Sequence, residues 1–192
     1  MSRRVLGVLI AATVAGCADS SSTEPEAVVV PVFSHQAGDP HGAELHFKTH
    51  LTGDEEVPPN EARGQGQAIF RLSKDGTSMH YKLIVSNIEN VFMAHIHTGA
   101  FGTNGPIVVW LYPQCQTGNA AVCGRLIEGR TQGVLDEGTL TSADVRAAGP
   151  FTNLTVAQRF AALIAEIRSG NTYVNVHTTQ LPGGEIRGQL PN

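Results

Sequence analysis

The 192-residue chain carries few charges, and it has no concentrated region of positive charge. Its 13 Lys and Arg residues are outnumbered by 17 Asp and Glu residues, which gives a formal net charge of −4. Because the basic residues are scattered and do not form a stripe with aromatic ones, the sequence argues against nucleic-acid binding. The sequence also lacks a Gly-x-Ser-x-Gly nucleophile motif, and no cysteine lies in an activating context. The chain is therefore predicted not to be an enzyme.

No apolar run reaches the roughly 20 residues that a membrane-spanning helix needs. The N-terminal apolar stretch, residues 5–16, follows Arg3 and Arg4 and ends in small residues before Cys17. This pattern resembles the lipobox of bacterial lipoproteins. The resemblance implies that residues 1–16 are a signal peptide, that Cys17 carries a lipid, and that the lipid holds the chain to a membrane. The alternative is an ordinary signal peptide with an incidental cysteine.

Residues 17–43 are predicted to form a lipidated tether, since residues 18–26 are polar, rich in serine and without periodicity. Asp19 is two residues after Cys17, so the position directly after Cys17 lacks the residue most associated with retention in the inner membrane. We therefore expect an extracytoplasmic protein at the outer membrane or cell surface, with an envelope protein as its candidate partner.

Cysteine is scarce, with three residues in the whole chain. If Cys17 is lipidated, Cys115 and Cys123 remain, and they flank a short polar loop. In an oxidising compartment we predict that these two form a disulfide, and the alternative is a pair of free thiols. Their spacing argues against a zinc site, because no second Cys or His pair follows at a finger-like distance.

Alternation of apolar and polar residues begins near residue 44. In residues 43–51 it places Phe47 and Leu51 towards a core, and His46 and His50 towards solvent. Similar short strands are predicted at residues 67–73, 78–86, 91–98, 106–112, 133–141, 173–179 and 185–190. Residues 155–168 have helical spacing instead, and Gly170 follows as a C-terminal cap. The pattern predicts a mainly antiparallel Greek-key or immunoglobulin-like β-sandwich with one inserted α-helix, over residues 44–192.

Two histidine-bearing strands carry the most specific pattern, MAHIHTG at residues 93–99 and YVNVHT at residues 173–178. Together with LTG at 51–53, EVPP at 56–59 and the closing stretch PGGEIRGQL at 182–190, they resemble the CHRD domain over residues 45–190. The resemblance implies an extracellular, immunoglobulin-like β-sandwich of poorly defined biochemical role. We therefore expect a non-catalytic binding or structural module of the cell envelope.

The histidines of these strands are the candidate metal ligands. His95 and His97 are two residues apart on a strand, so both face one side, with Cα atoms about 6–7 Å apart. If His177 lies on a neighbouring strand, three imidazoles converge in a set that suits Zn²⁺ or Cu²⁺. The His-x-His strand also resembles the copper-ligand strand of copper/zinc superoxide dismutases, although the bridging histidine and the aspartate of that family have no counterpart nearby. This is the alternative function, and no other cofactor is predicted.

A structural role is the competing interpretation of the same strands. His95 and His97 would then form hydrogen bonds across the sheet to Asn175, Thr98 or Glu185. Glu185 and Arg187, which share a strand face, would form a polar ladder or a structural ion pair. His80 is predicted to be exposed and Trp110 to belong to the core.

Overall fold

The computed structural model describes residues 45–113 and 126–190, which form an antiparallel β-structure with one α-helix. The strands are β1 (His46–Thr52), β2 (Gln65–Leu72), β3 (Met79–Thr98), β4 (Ile107–Tyr112), β5 (Ile127–Leu140), β6 (Thr172–Thr178) and β7 (Ile186–Leu190). The helix is α1 (Val156–Arg168), and three short 3-10 turns occupy Gly53–Glu55, Ser142–Asp144 and Gly149–Phe151. The predicted signal peptide and tether lie outside the described residues, as do Cys17, Cys115 and Cys123.

Five of the strands close into a barrel. They follow one another in the order β2-β1-β7-β6-β3, and β2 then pairs with β3, so that the ring is complete. The other two strands, β4 and β5, both pair with β3 outside this ring. Gly188 of β7 permits the close approach to β1, because a Cβ atom there would collide with the backbone carbonyl of His50. The prediction of a mainly antiparallel β-fold with one α-helix is confirmed.

The barrel differs from the predicted Greek-key sandwich, and the reason lies in β3. The sequence predicts two separate strands, at 78–86 and 91–98, because the alternation breaks between them. In the structure, Asn87 and Asn90 adopt left-handed backbone angles (φ 53° and 54°), and one 20-residue strand continues through register shifts. The first half of β3 pairs with β2 and the second half with β6, so this strand connects both sides of the sheet into a ring.

The alternating strands place their apolar residues as predicted. Phe47 and Leu51 are buried while His46 and His50 are exposed. On α1 the residues at helical spacing, Phe160, Leu163, Ile164 and Ile167, join the same hydrophobic core as the barrel strands. No helix in the described part of the chain is long and apolar enough to cross a membrane.

Both ends of α1 are defined by local chemistry. At the N-terminus, Thr155 and Gln158 form a capping box. At the C-terminus, Gly170 adopts φ 73°, its N–H donates to the Ile167 carbonyl, and the N–H of Asn171 donates to the Glu166 carbonyl. This pair of bonds is the Schellman motif, which ends the helix where the sequence predicted.

Candidate functional site

A row of polar and aromatic side chains crosses four neighbouring strands on one face. His95 of β3 lies opposite Trp110 of β4 on one side and opposite Asn175 of β6 on the other. Asn175 in turn lies opposite Arg187 of β7. All four residues are buried. Since residues directly opposite one another share a sheet face, the register aligns them into one continuous site.

The loops around this face bury it. The adjacent residues in the strands, Ile96, Val174 and Val176, point the other way and belong to the hydrophobic core. The polar face is covered by the loop between β3 and β4, residues 99–106, and by the turn before β7, which both accept hydrogen bonds from its histidines. The polar side chains are therefore buried without being part of the apolar core.

Three histidines converge at the centre of this face. His97 and His177 lie two residues from His95 and Asn175 respectively, so their side chains point the same way. One ring nitrogen from each of His95, His97 and His177 can be chosen so that all three lie within 4.8 Å of one another. One pair, His95 Nδ1 and His177 Nε2, lies at hydrogen-bond distance, 3.2 Å. The structure thus brings the three predicted residues together, while their role as ligands stays a prediction.

Backbone carbonyls fix the tautomers of two of the rings. His97 Nδ1 lies 2.8 Å from the Gly105 carbonyl oxygen, and His177 Nδ1 lies 2.9 Å from that of Pro182. Because a carbonyl oxygen only accepts hydrogen bonds, Nδ1 of each ring carries the hydrogen. In the neutral ring Nε2 then carries the lone pair. His177 Nε2 then accepts from His95 Nδ1, which makes His95 the same tautomer.

Three buried side-chain nitrogens remain without a hydrogen-bond partner among the described residues, His95 Nε2, His97 Nε2 and Trp110 Nε1. Asn175 approaches His97, but its side chain does not reach Nε2 with hydrogen-bond geometry. The Oδ1 atom of Asn175 lies instead 3.0 Å from His177 Nε2. The cluster therefore presents several lone pairs and few hydrogens.

Burial keeps the three imidazoles neutral. It lowers the pKa of His95 from 6.5 to about 2, with smaller contributions from the neighbouring charges of His177 and His97. It lowers the pKa of His97 to about 4, partly opposed by the Gly105 carbonyl, and it also lowers the pKa of His177. Neutral imidazole is the form that binds metal ions.

Trp110 lies against the histidine cluster rather than deep in the apolar core. Its ring meets that of His95 edge-on, with the ring centroids 4.2 Å apart and the planes at 90°. The residue is buried, as predicted from its position in an apolar strand. It is the only tryptophan of the chain, so its fluorescence reports on this site.

Arg187 holds the β3–β4 loop in place. Its guanidinium carbon lies 3.4 Å from the centroid of the Tyr173 ring, and its nitrogens donate to the Thr103 carbonyl at 2.9 Å and to Asn104 Oδ1 at 3.2 Å. The Tyr173 ring itself stacks on His97, with centroids 4.8 Å apart. Arg187 therefore positions the loop whose Gly105 carbonyl orients His97.

The predicted ion pair between Glu185 and Arg187 is wrong. Glu185 accepts a hydrogen bond from Thr178 Oγ1 at 2.6 Å, and no salt bridge joins it to Arg187. The strand alternation that suggested a shared face does not extend to Glu185. Gly184, at φ 135°, turns the chain just before it, and β7 begins only at Ile186.

Glu56 is the site residue that the sequence did not reveal. Its side chain is buried, Oε1 has no hydrogen-bond partner within the described segments, and a Cβ atom on Gly184 would collide with its carboxylate. Burial raises the pKa of Glu56 to about 7, while Arg187, the Val57 backbone and the Asn175 side chain act in the opposite direction. Glu56 lies in a turn-rich loop, where no periodicity signals burial, and the family motif EVPP was the one available indication.

A model of the CHRD domain family matches residues 47–190 of this chain. This range includes every strand but the first residue of β1, and it includes all three histidines. No curated protein and no solved structure gives a significant match.

Proposed function

This chain belongs to the CHRD-domain family, and we propose that it is a non-catalytic module of the cell envelope, held to a membrane by a lipid on Cys17. The family match over residues 47–190 is the observation that carries the proposal, because CHRD domains are typically extracellular modules without enzymatic activity. The lipobox-like sequence before Cys17 and the polar tether after it support the anchor.

Labelling with a radioactive fatty acid tests the anchor. The full chain is expressed in a bacterium that processes lipoproteins, and the label should appear in the membrane fraction on the wild-type chain. A Cys17→Ala variant should lose the label, whereas the matched variants Cys115→Ala and Cys123→Ala should keep it. A wild-type chain that takes up no label, or a Cys17→Ala chain that still does, contradicts the proposal.

The remaining cysteines are proposed to form a disulfide between Cys115 and Cys123. The support is the sequence alone, with a short polar loop between two cysteines in an exported chain. Mass spectrometry after alkylation of free thiols measures it directly. A mature, lipidated chain should take up no alkylating reagent unless it is first reduced, and uptake by two thiols without reduction would refute the pairing.

Binding to an envelope component is the proposed role of the anchored module. The described strands offer a rigid frame for it, since the β3–β4 loop is fixed by Arg187, Tyr173 and Asn104. Cross-linking in intact cells tests the idea, with a specific cross-linked partner expected for the anchored chain. A catalytic turnover by the purified chain would refute the non-catalytic assignment.

The alternative function is a copper- and zinc-binding protein of the superoxide dismutase type. One observation favours it, the convergence of three histidines on a buried site. Within residues 45–113 and 126–190, the cluster of potential ligands consists of those three histidines, with no aspartate beside them to build a second, bridged metal site. We therefore propose metal binding without the dismutase reaction.

A further inference from the structure

We propose that His95, His97 and His177 bind one divalent transition-metal ion, Cu²⁺ or Zn²⁺, through one ring nitrogen each. The inference goes beyond the anchored module described above. It rests on the buried cluster alone and does not depend on where the chain resides or on the lipid at Cys17.

The spacing of the nitrogens is close to that of a metal site. Imidazole nitrogens bound to Zn²⁺ at 2.0–2.1 Å in tetrahedral geometry lie about 3.3 Å from one another. In the structure the three nitrogens lie within 4.8 Å of one another, and His95 Nδ1 is already 3.2 Å from His177 Nε2. To close the triangle around an ion, the rings must move slightly closer together, and His95 must carry its hydrogen on Nε2 so that Nδ1 is free to bind.

The hydrogen-bond pattern of His177 favours a cation in the cluster. With the hydrogen on Nδ1, the ring satisfies the Pro182 carbonyl, but Nε2, which accepts from His95 Nδ1, then also faces the Asn175 oxygen as one acceptor against another. With the hydrogen on Nε2, the Asn175 oxygen is satisfied, but Nδ1 faces the Pro182 carbonyl in the same way. With the Asn175 amide oriented as in the structure, a cation beside Nε2 removes this repulsion between two acceptors. Both the nitrogen and the Asn175 oxygen can then offer the cation a lone pair.

An unpartnered nitrogen supports the same conclusion. His97 Nε2 is buried and finds no donor in the described part of the chain. A buried lone pair without a donor is unfavourable, and native structures contain few. A metal ion accepts electron pairs from such nitrogens and so satisfies them without a proton.

Backbone carbonyls already orient two of the ligands. Metal-binding histidines usually donate their second N–H to a carbonyl or carboxylate, which fixes the ring and the tautomer. The Gly105 carbonyl does this for His97 and the Pro182 carbonyl for His177. Gly105 is itself fixed, since its N–H donates to Tyr173 Oη at 3.1 Å and a Cβ atom on it would collide with the Thr98 carbonyl.

Asn175 offers an oxygen for a fourth coordination position. Its oxygen lies 3.0 Å from His177 Nε2, on the same face as all three rings. Three neutral nitrogens and a neutral oxygen suit Cu²⁺ and Zn²⁺, and Cu²⁺ generally forms the tighter complex with such a set. The site is therefore expected to bind Cu²⁺ more tightly than Zn²⁺.

Fluorescence of Trp110 measures binding at this position. The full chain is purified, its thiols are alkylated, metals are removed with a chelator that is then dialysed away, and CuCl₂ is added. Because the Trp110 ring lies 4.2 Å from that of His95, one equivalent of Cu²⁺ should quench the single tryptophan in a saturable manner. ZnCl₂ should compete with the quenching, and elemental analysis should find close to one metal ion per chain.

Variants separate this cluster from histidines on the surface. His97→Ala and His177→Ala should each weaken Cu²⁺ binding by more than about tenfold, as loss of a ligand exceeds the loss of an orienting group. His80→Ala is the matched control, since His80 is exposed on the same strand β3 and should leave binding unchanged. Quenching that persists in both cluster variants, or that is lost in His80→Ala, overturns the proposal.

A variant that gains affinity provides a further test, because misfolding can explain a loss of binding but not a gain. Asn175→Asp places a carboxylate where the amide oxygen now faces the cluster, and it should tighten Zn²⁺ binding by about tenfold or more, because carboxylate oxygen is a stronger zinc ligand than an amide. Circular dichroism confirms that each chain is folded before titration. If the Asn175→Asp variant is folded and binds Zn²⁺ no more tightly than wild type, the result contradicts the proposed position of the ion.

Discussion

Acid should destabilise the metal-free domain through its buried histidines. In the folded chain the pKa of His95 is about 2 and that of His97 about 4, against 6.5 for an ordinary histidine. Below pH 6.5 the unfolded chain therefore binds protons that the folded chain excludes, and stability falls as the pH falls. Each of the two histidines therefore lowers the free energy of unfolding by about 2 kcal/mol at pH 5. Nearly all of this decrease occurs between pH 7 and pH 5.

Glu56 acts in the opposite direction over the same range. Its pKa is about 7 when folded and 4.5 ordinarily, so between these values the folded chain holds a proton that the unfolded chain has released. Stability from Glu56 therefore rises as the pH falls from 7 to 5, by about 2 kcal/mol. In the wild-type chain this gain offsets the loss from one of the histidines.

Urea denaturation at pH 7 and pH 5, with EDTA present to remove metal, separates the two contributions. On acidification from pH 7 to pH 5, the free energy of unfolding of Glu56→Gln should fall by about 2 kcal/mol more than that of wild type. The reason is that the variant lacks the carboxyl group that takes up a proton in the folded chain. His97→Gln should lose about 2 kcal/mol less, and the exposed-site control His80→Gln should behave as wild type. Equal losses in all four chains would refute the assignment of buried, neutral histidines and a protonated glutamate.

Three further substitutions test the fold by chemical denaturation. Leu163→Ala removes a fully buried side chain of α1 and should cost about 2–5 kcal/mol, whereas an unchanged midpoint would mean that the helix does not pack on the barrel. Tyr81→Phe removes the hydroxyl that donates to the Leu111 carbonyl at 2.7 Å and should cost about 1–3 kcal/mol, since it leaves that buried oxygen without its donor. Lys82→Ala breaks an exposed ion pair with Glu137 and should leave the midpoint unchanged, and a clear loss would show that the pair is stronger than its exposure allows.

The parts of the fold that follow from periodicity could be predicted from the sequence. Strand β1 alternates strictly between Phe47 or Leu51 on the core side and His46 or His50 on the solvent side, and burial follows that pattern. The apolar residues of the helix have helical spacing, and its capping residues are next to them in the sequence, from Thr155 to Gly170. These signals are local, so one sequence is enough to find them.

The closure of the barrel, the burial of Glu56 and the approach of His95 to His177 depend on contacts between residues far apart in the sequence. Asn87 and Asn90 look like a break between strands, and only the pairing of β3 with both β2 and β6 shows that the strand continues. Glu56 is buried because a distant turn at Gly184 folds over it, which no local pattern reveals. The convergence of His95 with His177 was a prediction conditional on strand pairing, and the register between β3 and β6 met that condition.

Crystallography of the zinc-loaded chain tests the central claim most directly, with data collected on both sides of the zinc absorption edge. The account predicts a single strong anomalous peak at 2.0–2.1 Å from one nitrogen each of His95, His97 and His177. It also predicts that the Gly105 and Pro182 carbonyls still accept from the second nitrogens of His97 and His177. A folded chain with no anomalous peak among these rings, and with His95 still hydrogen-bonded to His177, would contradict it.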